Sequence, residues 1–484
     1  MKVLLRSALL AACGITVAAC STEPPVALKT SEMPPAFVAP VASNAQVWPS
    51  TDWWTGFSSP ELTTLETTAQ QSNLDLAAAA ARVIQARGNT GIAASALFPA
   101  VDLSASGQRS GSKVPLSQSG TVDASGNTFG LSLNASYELD FWGLAQDNLR
   151  AARNSARSAI YAQRVVALTV TADVADTYLD VLALRERIAI AKQNLGAAKR
   201  ILTITEAKVT NGVSSNLELA QQRAIVAAVE ATIPNLEEQE REARYALAVL
   251  EGRIPEGFDV TAQSLEGVVA PVVAPGMPAE LLVRRPDIAG AEADLRAAHA
   301  NVDAARAAFL PAIGLTGSGG YASSAISSLI NPSSLAWTIG ASLLQTVFDG
   351  GAKTSQLDVN KGRETELVAD YRHTVFNALS DVESSLGQVS SLADQQRFTT
   401  AQVNAAAEAF RISELQYREG VADLLAVLQT QQTLFTAQDT LVQIKLARLQ
   451  SNISLYRALG GGWSVDQDKD APTRNEFNPL PIPL

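Results

Sequence analysis

The sequence carries one long heptad pattern twice, and this repeat constrains the fold more than any other feature. An apolar residue recurs at every seventh position from 160 to 209, and the pattern returns 208 positions later with a single polar exception. A sustained period of seven is typical of helices that supercoil around one another with a left-handed twist. The two sets are Ile160, Ala167, Val174, Val181, Ile188, Leu195, Leu202, Val209 and Val368, Val375, Val382, Val389, Gln396, Val403, Phe410, Tyr417.

The repeat covers more than these helices, so each copy should have the same order of elements. Asn73-Leu74-Asp75-Leu76 and Arg285-Pro286-Asp287-Ile288 each precede an Ala-rich helix, and three glycines recur at the same offset as the heptads. We expect in each copy a medium helix, a β segment, a very long helix near 145–210 or 352–418, a glycine turn and a long return helix. The glycine pairs are Gly143 and Gly351, Gly212 and Gly420, and Gly252 and Gly460.

The expected fold class is mainly α with a small β part, built from duplicated long-helix hairpins. Each β segment contains two short alternating runs separated by a Ser/Gly-rich stretch, Ser104 to Asn127 in the first segment and Gly314 to Ser334 in the second. Four strands cannot close a barrel, and open strand edges are not tolerated in a bilayer. If the strands enter a membrane, three chains with twelve strands are the smallest sensible shared barrel.

The repeat and the composition together divide the chain into consecutive segments. The predicted segments are a signal peptide (1–19), a lipidated N-terminus with a Pro-rich tether (20–59), a first structural repeat (60–252) with a β-hairpin (100–140) and a long helix hairpin (143–252), an equatorial connector (253–284), a second structural repeat (285–462) with a β-hairpin (312–348) and a long helix hairpin (351–460), and a C-terminal tail (463–484).

The N-terminus has the pattern of a bacterial lipoprotein signal. Lys2 and Arg6 precede a short apolar stretch that ends in Val17-Ala18-Ala19-Cys20, which resembles the lipobox and predicts lipid attachment at Cys20. The next residue, Ser21, directs such lipoproteins to the outer membrane in the bacterial pattern. The alternative is ordinary cleavage at an A-x-A-like site, which would leave Cys20 as a free thiol.

Composition excludes several classes of function. A net charge of −11 and a pI near 4.9 argue against a nucleic-acid partner. No run of 18 apolar residues follows the first twenty residues, so a multi-span helical membrane protein is excluded. The chain after Cys20 has no cysteine, and its two histidines, His299 and His373, show no metal-site spacing. Gly317-Ser318-Gly319-Gly320 lacks the spacing of a phosphate loop and is expected to be a strand-end turn. We therefore expect no cofactor, no metal and no enzymatic activity.

Several short motifs follow one another from about 50 to 463. Besides the lipobox, they are Trp53-Trp54, Phe57, Pro60-Glu61-Leu62, Asn73-Leu74-Asp75-Leu76, Ser136-Tyr137-Glu138-Leu139-Asp140-Phe141-Trp142-Gly143, Arg284-Arg285-Pro286-Asp287-Ile288, Phe348-Asp349-Gly350-Gly351, Tyr417-Arg418-Glu419-Gly420-Val421 and Leu434-Phe435. In this order they resemble the motifs of the TolC/OprM-type outer-membrane efflux ducts, most closely the NodT-like lipoprotein branch. The resemblance implies a homotrimer with a twelve-stranded β-barrel shared in the outer membrane, four strands per chain, that continues into a trimeric α-helical barrel across the periplasm. It also implies a periplasmic adaptor (membrane fusion) protein, an inner-membrane RND-type pump and contact with outer-membrane lipid.

The resemblance places adaptor docking at the tips of the two helix hairpins, which are the points farthest from the strands. The tips are Asn211-Gly212-Val213-Ser214 and Glu419-Gly420-Val421-Ala422. Beside the second tip, Tyr417 and Arg418 form either a clasp between helices or a packed aromatic ring next to a surface arginine.

The gate of the duct is expected to differ from that of the relatives. The family pattern has an acidic residue at the position of Gln429 and often a basic one at that of Gln432. Gln221 is the repeat partner of Gln429, so three chains would present neutral amides above a leucine collar, with Asp423 as the nearby acid. The alternative is that all of these are ordinary helix-surface residues. The candidate gate residues are Leu217, Gln221, Asp423, Leu425, Gln429 and Gln432.

The favoured function is a passive exit duct of a tripartite efflux system in a Gram-negative bacterium, exporting small toxic compounds or drugs. Two alternatives remain at this stage. A structural coiled-coil lipoprotein of the periplasm would explain the heptads but leave the β segments without a role. A type I protein-secretion duct would share the architecture, although the lipobox favours efflux of small molecules.

Overall fold

The computed structural model describes residues 33–39, 49–115, 121–269, 271 and 276–463. The predicted signal peptide (1–19), Cys20 and all but the first residue of the predicted tail lie outside the described residues, as do parts of the predicted tether and connector. The described chain is mainly helical with one four-stranded antiparallel sheet, which confirms the predicted fold class.

The long helices lie where the heptads predicted them, and each has 67 residues. A return helix of 35 residues follows each of them. Within the described residues, no helix is both long enough and apolar enough to cross a membrane. In chain order the helices are α1 (Pro60–Ser72), α2 (Leu74–Ser95), α3 (Leu144–Thr210), α4 (Asn216–Leu250), α5 (Leu281–Arg284), α6 (Pro286–Ala307), α7 (Ala352–Arg418) and α8 (Leu424–Ala458).

The described residues form two compact units, and each unit takes segments from both copies of the repeat. The first unit, here called the sheet unit, combines Ile84–Ser158 with Ala291–Tyr371. The second, here called the hairpin unit, combines the described residues up to Val83 with Ala159–Gly290 and with the described residues from Arg372 onward.

The sheet unit contains strands β1 (Ala100–Pro115), β2 (Thr121–Glu138), β3 (Ala312–Ser323) and β4 (Leu335–Leu344), in the order β1-β2-β3-β4. The strands are longer than predicted, because much of the two Ser/Gly-rich stretches is paired strand. The expectation of a strand-end turn at Gly317–Gly320 was wrong, since these residues lie inside β3 and pair with β2. A Cβ atom at Gly320 would overlap the backbone of β2. Glycine is therefore required for close strand approach, not for a turn.

The sheet has one apolar and one polar face. The register between neighbouring strands runs without a bulge, so side chains alternate in phase across all strands. On the polar face, Ser104 Oγ lies 2.8 Å from Ser132 Oγ, and Asn134 Nδ2 donates to Ser104 Oγ over 3.0 Å. The apolar face carries Val101, Leu103, Phe129, Leu131, Leu133, Tyr137, Ile313, Leu315, Tyr321, Leu335, Trp337, Ile339 and Leu343.

The core of the hairpin unit begins with a buried aromatic cluster. The 3-10 turn Trp53–Phe57 buries Trp53 and Phe57, and the Trp53 ring stacks on Tyr456 of α8 with centroids 5.0 Å apart. Next to this cluster, the Ser59 hydroxyl caps α1 and lies 2.9 Å from the hydroxyl of Tyr178 on α3. These contacts join the segment Trp53–Ser59 to α3 and α8.

The two copies of the repeat use corresponding glycines for the same packing. α4 and α8 are followed by Gly252 and Gly460, and a Cβ atom at either position would overlap a backbone carbonyl oxygen. That oxygen belongs to Ser72 in the first copy and to Arg284 in the second. Only glycine permits such an approach.

The residue after each of those carbonyls caps the end of a return helix. Asn73 Nδ2 donates to the carbonyl of Leu250 over 2.9 Å, and Arg285 Nη1 donates to that of Ala458 over 3.0 Å. Both satisfy a carbonyl in the last turn, which has no partner within its own helix. Two different side chains thus perform one structural task at equivalent positions.

Candidate gate and hairpin tips

Both hairpin tips end their long helix with the same glycine motif. At the first tip the Gly212 amide donates to the carbonyl of Val209 over 3.0 Å, and the Val213 amide donates to that of Lys208 over 2.8 Å. Gly212 has φ +73°, and Gly420 has φ +78° within the same bonding pattern at the second tip. This is a Schellman motif, in which glycine takes the left-handed conformation without a Cβ penalty. The predicted glycine caps at both tips are confirmed.

Side-chain caps start both return helices. Ser215 accepts from the backbone amide of Glu218, and the Glu218 carboxylate accepts from the Ser215 amide, which completes a capping box at α4. At α8 the Asp423 carboxylate accepts from the Ala426 amide over 3.0 Å. The acid that was predicted near the gate therefore has a structural task, because it satisfies a helix N-terminus.

Tyr417 and Arg418 behave differently from one another at the second tip. The Tyr417 ring is buried, and its hydroxyl lies 3.0 Å from the Thr205 hydroxyl of α3. The Lys208 ammonium lies over the Tyr417 ring and donates a hydrogen bond to the backbone carbonyl of Tyr417. Arg418 is exposed and contacts Glu419 at 3.2 Å. Tyr417 joins α7 to α3, whereas Arg418 is a surface residue.

A compact apolar cluster holds three helices together below the tips. It draws on the C-terminal parts of α3 and α7, including the heptad positions Phe410 and Tyr417, and on the first half of α8. The Phe410 and Phe435 rings meet edge to face with centroids 6.4 Å apart. Its buried members are Ala197, Ile201, Ala406, Phe410, Tyr417, Leu424, Val427 and Leu434.

The candidate gate residues on α4 and α8 all lie on exposed helix surfaces of the single chain. Leu217 is 68% exposed and Leu425 is 65% exposed, and Gln221, Gln429 and Gln432 are exposed as well. In the described residues no hydrogen bond joins any two of these side chains. The chain therefore leaves them available to a lumen or to a neighbouring copy, and it does not by itself bring them together.

Two further glutamines of the same helices point inward, and the sequence did not single them out. Gln222 is buried and donates to the carbonyl of Ala198 over 2.8 Å. Gln431 is 1% exposed, and neither of its amide atoms has a partner among the described residues. A buried amide without partners is costly, so this part of the α8 packing is less stable than an apolar contact would be.

A buried arginine lines a polar cavity of 420 Å³ in the hairpin unit. Arg285 Nη2 lies 2.7 Å from Asp287 and Nη1 lies 3.2 Å from Asp381. Hydrogen bonds and charge from these carboxylates raise the pKa of Arg285 against the opposing effect of burial. Arg285 belongs to the motif Arg284-Arg285-Pro286-Asp287-Ile288 identified in the sequence, but the sequence alone did not predict that Arg285 caps a helix and forms ion pairs.

Two buried glutamates of the hairpin unit interact with one another. Glu66 of α1 is 0% exposed, and Glu251 after α4 is 1% exposed. Burial, with a contribution from the Glu251 charge, raises the pKa of Glu66 to about 9. Burial raises the pKa of Glu251 to about 7, although the Arg253 charge lowers it. The sequence contained one indication that Glu251 is buried, because its equivalent in the second copy of the repeat is the apolar Leu459, which is buried as well.

The described residues contain no cluster of three or more metal-ligating side chains suited to a metal ion. His299 instead forms part of a charged network in the sheet unit, with Nδ1 2.7 Å from Glu364 and Nε2 3.7 Å from Asp303. The candidate site therefore offers exposed helix surfaces, helix caps and a buried apolar cluster.

Residues 65–253 and 277–461, which make up most of the chain, match the family model for outer membrane efflux proteins. The chain belongs to the outer membrane efflux protein family. It is accordingly an outer-membrane exit duct of a bacterial efflux system, and the expected resemblance is confirmed.

Named relatives and a solved structure agree with this membership. The pyoverdine export outer membrane protein OpmQ of Pseudomonas putida is 39% identical over 95% of this chain and 97% of its own length. The cation efflux system protein CusC of Escherichia coli is 32% identical over 85% of this chain and 88% of its own. The outer-membrane channel OprN superposes with a TM-score of 0.81 at 26% identity, covering 92% of this chain and 98% of that one. The efflux family and its solved members are channel proteins.

Proposed function

We propose that three copies of this chain form one passive duct, with a shared twelve-stranded barrel in the outer membrane and an α-helical barrel that extends into the periplasm. The observation that carries the proposal is the sheet, which has an apolar and a polar face. The outer edge of β1 and the outer edge of β4 have no partner strand in the described part of the chain. Since a bilayer does not tolerate open edges, neighbouring copies must supply the partners.

The number of copies follows from the space that a duct needs. Two copies would give eight strands, and the interior of such a barrel is only wide enough to be filled by side chains. Three copies give twelve strands, which is within the range of outer-membrane barrels and leaves room for a lumen. The polar face, with Ser104, Ser132 and Asn134, would line that lumen.

The height of the apolar face fits a membrane. On β2 this face runs from Tyr137 to Phe129, and both ends carry aromatic rings. Eight residues at about 3.4 Å each span roughly 27 Å along the strand. At the usual tilt of about 35–45°, this length gives a band roughly 20 Å tall, close to the apolar band of about 25 Å that outer-membrane barrels present between two aromatic girdles.

A periplasmic adaptor docks on the hairpin tips and connects the duct to an inner-membrane RND-type pump, which supplies the energy. What supports this part is family membership together with the shape of the tips. Both tips present a short glycine-capped turn with exposed Val213 and Val421 at 74% and 78% exposure. Exposed apolar side chains at a rigid turn suit contact with a partner protein.

The duct closes through neutral side chains rather than an acidic ring. Gln221 and Gln429 from three chains would form a ring of amides next to a collar of Leu217 and Leu425, and Gln432 would add further amides. The exposure of all five positions supports this proposal. Asp423 is held by a backbone amide of α8, so it supplies a cap to the helix beside the ring.

The exported solutes are small toxic compounds or drugs, and Cys20 carries a lipid that adds a second membrane anchor. OpmQ is named for pyoverdine export and CusC for cation efflux, and these names support export of small solutes over secretion of proteins. Lipid attachment rests on the lipobox that ends at Cys20.

Cysteine cross-linking across the strand edges tests the shared barrel. Asp102→Cys on β1 would be combined in turn with Ala336→Cys, Thr338→Cys and Gly340→Cys on β4, all on the polar face. Oxidation in outer-membrane fractions should give a covalent trimer on a denaturing gel for at least one pair. The single variants are controls, and they should give no species above a dimer. If no pair gives a trimer, three chains do not share the sheet.

Planar-bilayer conductance separates a duct from a coiled-coil spacer. The purified trimer should open discrete channels when a potential is applied, and a spacer would not. In cells, Gly212→Val and Gly420→Val should abolish efflux and leave trimers in the outer membrane, because a β-branched residue disfavours the left-handed turn. Gly196→Val, on an exposed and uncrowded site of α3, is the matched control. Normal drug resistance in both tip variants would rule out docking there.

A further inference from the structure

The β1–β2 hairpin is longer than the rest of the sheet. β2 pairs with β3 only as far as Phe129, which faces Ser323. Its pairing with β1 continues from Gly107, opposite Phe129, to Pro115, opposite Thr121. Eight further residues at about 3.4 Å each extend the hairpin by roughly 27 Å. The hairpin therefore projects beyond the aromatic end of the apolar face.

Two cations on this projection continue the apolar face. The register of β1 with β2 has no bulge, so alternation is preserved from Leu103 to Lys113. Arg109 and Lys113 consequently lie on the same face as Leu103. Their cross-strand neighbours are Asn127 and Asp123 respectively.

The charge of this end is opposite in sign to that of the protein. The chain carries a net charge of −11. Segments 104–128 and 321–337 contain only Arg109, Lys113 and Asp123 as charged residues. Asp123 is the cross-strand neighbour of Lys113, whereas Arg109 faces the uncharged Asn127. Neither Arg109 nor Lys113 forms an ion pair among the described residues.

The β3–β4 connection at the same end is suited to lipid as well. It follows Ser323 and precedes Leu335, and it contains no charged residue. Ile326 and Ile330 in this connection are 71% and 77% exposed. This end of the sheet therefore presents exposed isoleucines, which suit lipid chains, and cations, which suit anionic headgroups.

We propose that Arg109, assisted by Lys113, binds the phosphate groups of the anionic glycolipid in the outer leaflet of the outer membrane. This inference rests on the proposed function, in which the apolar face contacts lipid. Arg109 lies two residues beyond the Phe129 row, or about 7 Å along the strand, which is the level of the headgroups. A guanidinium group matches a phosphate through two parallel hydrogen bonds, and a nearby ammonium adds a point charge.

Binding of purified lipid A to the detergent-solubilised full-length protein tests the proposal. The variant Arg109→Gln/Lys113→Gln should bind about thirtyfold more weakly than the unaltered protein. Asp123→Asn should bind more tightly, because it removes the opposing charge. Lys353→Gln/Lys361→Gln removes the same number of charges from the start of α7 and should bind normally.

The outcomes distinguish this inference from the proposed function. Each variant is first run as a heat-resistant trimer on a mild gel. Intact trimers whose lipid A binding is equal in all four proteins would overturn the inference and leave the duct standing. A loss of binding in the α7 control equal to that in the hairpin variant would also overturn it. Failure of the unaltered chain to form trimers at all would overturn both proposals.

Discussion

Replacing Glu66 by glutamine should stabilise the protein much more at pH 8 than at pH 5. Glu66 and Glu251 are 0% and 1% exposed, and three of their four carboxyl oxygens have no hydrogen-bond partner among the described residues. Burial and the neighbouring Glu251 charge raise the pKa of Glu66 from 4.5 to about 9. The folded chain therefore keeps a proton that the unfolded chain releases.

The sign and size of the effect follow from proton linkage. Between about pH 4.5 and pH 9 the folded state binds more protons than the unfolded state, so stability falls as the pH rises. Each pH unit in this window costs about 1.4 kcal/mol. The penalty from Glu66 is thus about 1 kcal/mol at pH 5 and about 4–5 kcal/mol at pH 8. Glu66→Gln removes it, because glutamine has the shape of the protonated acid and cannot ionise.

Thermal unfolding of the solubilised protein at a fixed scan rate provides the assay, since large membrane assemblies unfold irreversibly. The midpoint of the unaltered protein should fall from pH 5 to pH 8, and the Glu66→Gln midpoint should fall less. Glu251→Leu, which installs the residue of the second copy, should have the same direction of effect. Glu256→Gln, at an exposed position, is the control. Parallel midpoint curves for the unaltered and Glu66→Gln proteins would refute the reasoning.

Three further predictions concern the glycines, the gate and the anchor. Gly460→Ala should lower the free energy of unfolding by more than about 3 kcal/mol, because the new Cβ would overlap the Arg284 carbonyl. Gly420→Ala, which has open space around it, should lower it by only about 1–2 kcal/mol. Equal melting points for the two variants would contradict this prediction. Gln429→Asp should introduce block of single-channel current by millimolar divalent cations, because three carboxylates would meet in one ring, and an unchanged current would count against the gate. Mass spectrometry should find a lipid on Cys20, and an unmodified mature N-terminus would disprove it.

The helical part of the fold could be predicted from the sequence because its physical signals are local. A period of seven and a glycine at the end of the pattern are enough to place α3 and α7 and their caps at Gly212 and Gly420. The positions of the four strands were predicted correctly, but the predicted strands were shorter than the observed ones. A strand rich in Ser and Gly, such as β3 at Gly317–Gly320, has the composition of a loop, and only its pairing with neighbouring strands distinguishes it from a loop.

The polar features of the hairpin unit could not be predicted, because they depend on distant parts of the chain. Arg285 reaches Asp381, and Glu66 meets Glu251, only after the helices have packed. The candidate gate is the opposite case. The sequence names residues such as Gln429 on the exposed side of a helix, but their mutual distance depends on neighbouring chains.

The unpaired edges of β1 and β4 have a genetic consequence under the proposed three-chain duct. Because each chain must complete its barrel with two others, two alleles expressed equally in one cell would mix within trimers, and only about one trimer in eight would contain normal chains alone. A variant that pairs normally but blocks the lumen should therefore suppress efflux from the normal allele as well. A variant that cannot present its edge strands would be excluded from assembly, and the normal allele would mask it.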